Sequence, residues 1–244
     1  MYIHEKIYEK VISKAKKLTI TDIRIGLGYT LVELDKSKCG ISYSFTKEIN
    51  TQTCTAVEYA GEMVGKRADY LIEKIFSYNL LDSTLALACA NAILNNDKES
   101  IDYDIIEAID NNTNVVMVGY FSPLVPLIKK RAKSFIVCER TYRDGSYPDY
   151  AAYFELNSCD IAIISATSII NKTIDSLLER TYAETVAILG PSCLMDREIF
   201  SDTNATHLCG SFITDIEKAK LIISQGGGTQ KLKQATKKGC IVCR

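Results

Sequence analysis

The segment CDIAIISATSIINKTIDSLLE, residues 159–179, joins a strand pattern to a helix pattern. It is almost continuously apolar up to Ser165, continues through small hydroxyl residues to Asn171, and has apolar residues at helical spacing after Thr173. A continuous apolar run suits a strand that is covered on both faces, and the change of period indicates a loop followed by a helix. We therefore predict a strand, a polar loop and a helix that Asn171 or Thr173 caps.

Three further segments show the same pattern: NVVMVGY, SFIVCER and TVAILGPS, at 114–120, 134–140 and 185–192. Intervals of roughly 20 to 25 residues leave room for a crossover helix after each strand. The pattern predicts a parallel α/β sheet in this part of the chain. A fifth unit, THLCGSFIT at 206–214 with the helical pattern that follows it, is expected to add an edge strand and a helix.

The first hundred residues follow a different pattern. Residues 3–18 carry one apolar stripe at intervals of three and four, which predicts an amphipathic helix. Alternation between 20 and 45 predicts two or three antiparallel strands, and helices are predicted over 67–79 and 81–95. The stripe of the first helix consists of Ile3, Ile7, Val11, Ala15 and Leu18. The last helix has two candidate caps, Asp82 and Ser83.

A short polar segment, NNDKES at 95–100, lies where the pattern changes. We predict a domain boundary there. The domains would be an α+β domain over 1–98 and a parallel-sheet domain over 99–244, which makes the fold class α/β overall.

The composition excludes several classes of partner. The chain has 244 residues, 47% of them hydrophobic, and its 29 basic residues nearly balance its 30 acidic ones. Such a chain has no overall field that would attract nucleic acid or an anionic membrane. It has no apolar stretch near the roughly 20 residues of a membrane span, and its N-terminus is charged throughout, unlike a signal peptide. We expect a cytoplasmic protein.

Nine cysteines are many for such a chain, whereas His4 and His207 are its only histidines. Cysteines inside apolar runs are expected to be free, buried thiols of a reducing compartment. These are Cys89, Cys138 and Cys159. The scarcity of histidine argues against a histidine-rich zinc or iron centre built from this chain alone.

The chain ends in GCIVCR, residues 239–244, which contains one C-x-x-C pair, Cys240 and Cys243. One such pair supplies at most half of a zinc site, and no second pair has matching spacing. We interpret the segment first as a mobile tail, with metal capture and redox chemistry as alternatives.

Each of the four strand segments ends in small, polar or charged residues. Ligands of open parallel sheets bind beyond the carboxyl ends of the strands, so these ends are expected to line one rim. Helix N-termini at such a rim leave N–H groups unpaired and carry partial positive charge. The rim is therefore expected to favour an anionic ligand.

The rim residues also have purely structural interpretations. Asn171 and Thr173 could serve only as caps, and Glu139 could form an ordinary surface ion pair with Arg140. Ser192 is not a candidate nucleophile, because GPSCL lacks the G-x-S-x-G pattern and no histidine accompanies it.

Five motifs occur in an order and at intervals that resemble one known family. They are VGYFSPLVP at 118–126, CERTYRDGSYPDY at 138–150, the segment 159–179, AILGPSCL at 187–194 and QGGGT at 225–229. The whole chain is similar to the putative heavy-metal chelation family, a former domain of unknown function. The resemblance implies an enolase-N-terminal-like domain followed by a Rossmann-like domain.

The resemblance also implies a pocket between the two domains that binds a heavy-metal ion or a metal chelate. Carried over by motif, the pocket residues are Asn91, Gly119, Phe121, Glu139, Arg140, Thr167, Asn171, Thr173, Gly190, Pro191 and Ser192. This sequence has Lys172 where the family usually has glycine, and Cys193 where it usually has threonine. Lys172 would add a cation to the rim and Cys193 a soft donor. The candidate metal ligands are Glu139, Cys193, Cys240 and Cys243.

Three functions remain open from the sequence. The first is binding of a metal ion or anionic metal chelate, with Glu139 as ligand or counter-charge and Arg140 and Lys172 as anion partners. The second is an enzyme acting on a small carboxylated or phosphorylated metabolite, with Glu139 as general base. The third is a structural or interaction protein. The sequence does not decide the oligomeric state, although the enolase-like half would suit a homodimer.

Overall fold

The computed structural model describes residues 1–46, 48, 56–95 and 100–243. We call the parts before and after the gap at 96–99 the N-terminal and the C-terminal half. The predicted division at residues 98 and 99 falls within that gap and stays a prediction. The described residues form a small antiparallel sheet and a seven-stranded, mostly parallel sheet, each with helices, which confirms the predicted α/β fold class.

In its described residues, the N-terminal half has three α-helices, one 3₁₀ helix and a three-stranded sheet of order β1-β2-β3. Its elements are α1 (Ile3–Ala15), β1 (Ile20–Ile25), β2 (Tyr29–Leu34), β3 (Lys38–Tyr43), α2 (Asp69–Ile72), the 3₁₀ helix Glu73–Phe76 and α3 (Leu80–Leu94). The predicted stripe of α1 is buried, apart from Leu18, which lies beyond the end of the helix and is half-buried.

The predicted cap of α3 is wrong. The helix begins one turn earlier, after Asn79, whose side-chain oxygen accepts from the N–H groups of Leu81 and Asp82. Asn79 has an extended backbone, which brings its short side chain over the first free N–H groups. Asp82 instead accepts from the hydroxyl of Ser77.

One glycine allows β3 to lie directly on α3. A Cβ added to Gly40 would come within 2.2 Å of the nitrogen of Ala92 and 2.3 Å of the carbonyl oxygen of Ala88. Both are backbone atoms of a helix and cannot move aside. The contact between this strand and this helix therefore requires glycine at position 40.

The C-terminal half contains the larger sheet. Its strands are β4 (Asn114–Val118), β5 (Ser134–Glu139), β6 (Tyr147–Pro148), β7 (Ile161–Ser165), β8 (Thr185–Leu189), β9 (His207–Ile213) and β10 (Thr236–Val242). Its α-helices are α4 (Val125–Arg131), α5 (Ala152–Glu155), α6 (Thr167–Ile170), α7 (Ile174–Arg180), α8 (Ile216–Ser224) and α9 (Thr229–Leu232). Short 3₁₀ helices span Ile105–Ala108, Asp149–Ala151, Leu156–Ser158 and Arg197–Phe200.

The strand order is β10-β9-β8-β7-β4-β5-β6, and every neighbouring pair is parallel except β9 with β10. Two predictions were wrong here. β9 is not an edge strand, because β10 pairs with it along Thr236–Val242. The chain end is not a mobile tail, because Cys240 and Ile241 are buried within that edge strand.

One apolar core extends through both halves. It contains Ile7 and Leu85 of the N-terminal half together with Ile164 and Ile188 of β7 and β8. A second core, which includes Met117, covers the other face of the larger sheet. The two halves are therefore joined by shared burial of apolar side chains, which is the main favourable term in protein packing.

Candidate functional site

The carboxyl ends of β8, β7, β4 and β5 lie side by side. Val118 of β4 is in register with Cys138 of β5 and with Ile164 of β7, and Ser165 of β7 is in register with Leu189 of β8. The four polar segments after these strands therefore leave the sheet at one edge, as the sequence predicted.

Two glycines at this edge have left-handed backbones. Gly119 follows β4 with φ of +94°, and Gly190 follows β8 with φ of +126°, conformations that favour glycine. A Cβ on Gly119 would lie 2.7 Å from that of Ser165, and one on Gly190 would lie 3.8 Å from the ring of Phe121. The strand ends are thus close together, and Phe121 lies beside the end of β8.

Glu139 fastens two of the strand ends to each other. One carboxylate oxygen accepts from the N–H of Tyr120 at 2.8 Å, in the segment after β4. The other accepts from the N–H groups of Arg140 and Thr141 at 2.8 and 3.3 Å. Three N–H donors fix the orientation of this carboxylate and leave it lone pairs for a further partner.

Arg140 connects this edge with the N-terminal half. Its guanidinium lies 2.7 Å from the carboxylate of Glu48 and 3.9 Å from that of Asp149, and its centre lies 5.9 Å from the ring centroid of Phe45. Its charge is therefore already compensated within the protein.

Tyr43, at the end of β3, faces the same charged groups. Burial raises the pKa of its hydroxyl, the carboxylates of Glu48 and Glu139 raise it further, and Arg143 opposes them. The guanidinium of Arg143 lies 5.1 Å from the ring centroid of Tyr120. Within the described residues, Arg143 has no carboxylate at ion-pair distance, so its charge is available to a ligand.

We call Tyr43, Phe121, Glu139, Arg140 and Arg143, together with Gly119 and Gly190, the strand-end cluster. The prediction omitted Tyr43 and Arg143. Arg143 lies in the quoted segment CERTYRDGSYPDY, three residues after Arg140. Its place in that segment would have allowed it to be predicted. Tyr43 has no such signal, because the alternating pattern of β3 does not indicate which of its side chains meets the C-terminal half.

Two predicted pocket residues brace the halves instead. Asn91 is 1% exposed, and its side-chain N–H groups donate to the carbonyl oxygens of Ile41 at 2.9 Å and Ser192 at 3.3 Å. The hydroxyl of Ser192, which is 2% exposed, accepts from the N–H of Tyr43. Pro191, between Gly190 and Ser192, is half-buried.

The loop after β7 is held by its own side chains. The hydroxyls of Thr167 and Ser165 lie 2.8 Å apart. The side-chain oxygen of Asn171 accepts from the N–H and the hydroxyl of Thr173 at 3.3 and 2.8 Å. Thr173 occupies the predicted N-cap position of α7 but makes no side-chain capping bond, because its hydroxyl donates to Asn171, which closes the turn between the short helix α6 and α7.

Lys172 leads away from the rim. It adopts a left-handed backbone with φ of +64°, and its ammonium donates to the carbonyl oxygen of Ile75 at 2.9 Å and to the hydroxyl of Ser83 at 3.0 Å. Burial lowers the pKa of Lys172 to about 8. Lys172 was predicted to add a cation to the rim. In the structure it instead links the loop after β7 to the N-terminal half.

Of the candidate cysteines, Cys193 and Cys243 pack in the same apolar core and interact electrostatically, whereas Cys240 lies outside that core. Cys193 is fully buried, and burial raises the pKa of its thiol. Cys240 is paired with Cys209 as a disulfide, whereas Cys243, three residues further along the chain, is half-buried and its backbone N–H donates to the carbonyl oxygen of Thr206. In the part of the chain that the structure describes, no three histidine, cysteine or acidic side chains are arranged to hold a metal ion.

A cavity of about 510 Å³ lies between the two halves at the carboxyl end of β9. It is lined by Ser37–Ile41 of the β2–β3 turn and β3, Ala92–Asn95 of the end of α3, and Ser211–Thr214 with Ile216. No predicted pocket residue lines it. Its size is that of small-molecule sites, so it is the competing location for a ligand.

These features define a two-sheet α/β protein with a charged and aromatic cluster at the strand ends. Two family models, both described as "Putative heavy-metal chelation", match residues 8–94 and 102–241. The chain belongs to this family. Its helices, as far as they are described, include none long and apolar enough to cross a membrane.

The chain is similar to proteins of three named organisms. An uncharacterized protein of Methanocaldococcus jannaschii is 26% identical over 254 residues, covering 97% of this chain and 95% of that protein. The crystal structure of a protein of unknown function from Pyrococcus horikoshii has a TM-score of 0.86 and 26% identity, covering 98% of this chain and 99% of its own. A second one, from Desulfitobacterium hafniense, has a TM-score of 0.82 and 21% identity, with 98% of each chain covered. These descriptions confirm the fold and name no ligand.

Proposed function

We propose that the protein binds a small anionic ligand, a chelate of a heavy-metal ion, at the strand-end cluster between its two halves. The observation that carries the proposal is the position of Arg143. Its guanidinium lies beside Tyr120, acts on the hydroxyl of Tyr43, and meets no carboxylate among the described residues. A cation without an internal partner at the edge where parallel sheets bind ligands suits an anion.

The other members of the cluster have complementary roles. Tyr43 offers a hydroxyl from the N-terminal half, and Phe121 offers an apolar surface beside Gly190. The carboxylate of Glu139 is held by backbone N–H groups and could contribute an oxygen to a hard metal ion inside the chelate. Arg140 aligns the loop through Glu48 and Asp149.

The enzyme alternative has less support. A general base must direct a carboxylate oxygen at the proton it removes, whereas both carboxylate oxygens of Glu139 are directed at three backbone N–H donors. We therefore assign Glu139 a binding and positioning role.

Calorimetric titration of the full chain with metal ions alone and with their citrate chelates tests the proposal. Arg143→Ala should weaken binding of the chelate about tenfold or more, because a charge-assisted hydrogen bond contributes about 1.5–3 kcal/mol. The matched control is Lys38→Ala, which removes a cation from the cavity at the end of β9. If Lys38→Ala weakens binding and Arg143→Ala does not, the ligand occupies that cavity and the proposal is wrong. Absence of any binding tighter than about millimolar would also refute it.

A further inference from the structure

Cys209 and Cys240 form a buried cross-strand pair. They are in register in the antiparallel pairing of β9 with β10, are joined by a disulfide, and have Cα atoms 4.1 Å apart. The N–H of Cys240 donates to the carbonyl oxygen of Ile101 at 3.0 Å, and its own carbonyl oxygen accepts from Ile101 at 2.8 Å. Both backbone groups therefore point away from β9. The pair occupies a non-hydrogen-bonded position, where opposed side chains approach most closely.

The C-x-x-C spacing does not produce this pair. Cys243 lies just beyond the end of β10 and packs against the apolar core that contains Ile241, on the face opposite Cys240. Cys193 is also on the opposite face, since a Cβ on Gly210, the neighbour of Cys209, would lie 3.3 Å from the carbonyl oxygen of Cys193. Cys209 and Cys240 are therefore a two-thiol unit of their own.

One cationic residue lies on the same face of β10 as Cys240. Lys238 is exposed and lies two residues before Cys240, hence on the same face of β10. Leu189, in register with Cys209, supplies an apolar neighbour from β8. The pair is buried, yet Val242, two residues after Cys240 and on the same face of β10, is 37% exposed, so a small ion has a short path from solvent.

We infer that the reduced Cys209–Cys240 pair binds a soft monovalent cation, Cu(I), through two thiolates. Thiolates select soft metals such as Cu(I). A dithiol reductant supplies two electrons and two protons, which break the S–S bond and yield two thiols, while the reductant becomes a disulfide. Cu(I) then displaces both thiol protons and forms two S–Cu bonds, and the complex carries one negative charge beside Lys238. This site is separate from the strand-end cluster and does not depend on the function proposed for it.

The test uses the full chain, reduced with dithiothreitol, freed of the reductant without oxygen, and titrated with Cu(I) against bathocuproine disulfonate. The wild type should hold one Cu(I) per chain more tightly than either Cys209→Ser or Cys240→Ser, by about tenfold or more. The matched control is Cys159→Ser, another buried cysteine, which lies outside the pair and should bind as the wild type does. The oxidised wild type should lose this Cu(I). Equal binding by the wild type and Cys209→Ser would overturn the inference.

A second measurement needs no variant. Bound Cu(I) should protect Cys209 and Cys240 from alkylation by iodoacetamide, as read by peptide mass mapping of the wild type. Protection of other cysteines in their place would also overturn the inference. Arg143→Ala should leave Cu(I) binding unchanged, so a failure here and a failure of chelate binding at the strand-end cluster are separate results.

Discussion

The backbone N–H of Tyr43 donates to the hydroxyl oxygen of Ser192 across 2.8 Å, and Ser192 is 2% exposed. This bond joins the end of β3 to the loop after β8. It holds Tyr43 next to the strand ends, where the charges of Glu139 and Arg143 act on its hydroxyl. Ser192, which lies in the segment GPSCL, thus positions Tyr43, which lies in none of the five quoted motifs.

Ser192→Ala should destabilise the fold by about 1–3 kcal/mol, because it leaves a buried N–H without an acceptor. Urea denaturation gives the free energy of unfolding. The exposed Ser122→Ala is the control and should change it by less than about 0.5 kcal/mol. Equal effects of the two substitutions would mean that the bond to Tyr43 contributes nothing.

Gly40→Ala should be far more harmful than Gly228→Ala. At position 40 the new Cβ meets helix backbone atoms at 2.2 and 2.3 Å, whereas at position 228 nothing lies within 4 Å. We expect Gly40→Ala to cost about 3 kcal/mol or more, or to prevent folding, through overpacking. The melting temperatures of both variants check this, and a Gly40→Ala protein as stable as Gly228→Ala would contradict the described contact of β3 with α3.

Lys172 should make stability depend on pH above neutrality. Burial lowers its folded pKa from 10.5 to about 8. Between these two values the unfolded chain binds a proton that the folded chain has released, so the Lys172 contribution to stability rises with pH across this window. Below about pH 8 both states hold the proton, and the full penalty of the buried charge applies.

The measurement is the free energy of unfolding of the wild type minus that of Lys172→Met, at several pH values from 7 to about 10.5. The difference should shift in favour of the wild type as pH rises. Parallel curves would show that Lys172 titrates normally. Lys129→Met, at an exposed lysine, is the control and should give a flat difference.

Glu139→Gln should destabilise the fold by about 1–2 kcal/mol, since an amide replaces one of the two accepting oxygens with a donor. Either the bond from Tyr120 or the bonds from Arg140 and Thr141 must then be lost. Chemical denaturation measures the loss. Unchanged stability would indicate that water replaces the carboxylate as the acceptor for these N–H groups without loss of free energy.

The strands and their common polar edge could be predicted, because buried parallel strands are continuous apolar runs and their ends follow from chain direction. The hydrogen bonds by which Asn91, Ser192 and Lys172 join the two halves could not be predicted. A polar residue at a strand end faces a ligand or a neighbouring element depending on what packs there, and the N-terminal half packs on all three.

The pairing of Cys209 with Cys240 could not be predicted from the sequence either. Thirty-one residues separate the two cysteines, and only the register of β9 with β10 brings them together. The C-x-x-C spacing in the sequence pointed instead to Cys243, which lies beyond the end of β10 and packs against the apolar core on the other face of the sheet.

The apolar core that runs through both halves has a consequence for how a ligand arrives. A clamshell opening would expose side chains such as Ile7, Leu85 and Ile188 to water at a cost of about 25 cal/mol for each Å². The halves should therefore stay closed as one body. Entry to the strand ends then falls to the loop that carries Arg143, whose residues 140–145 are exposed.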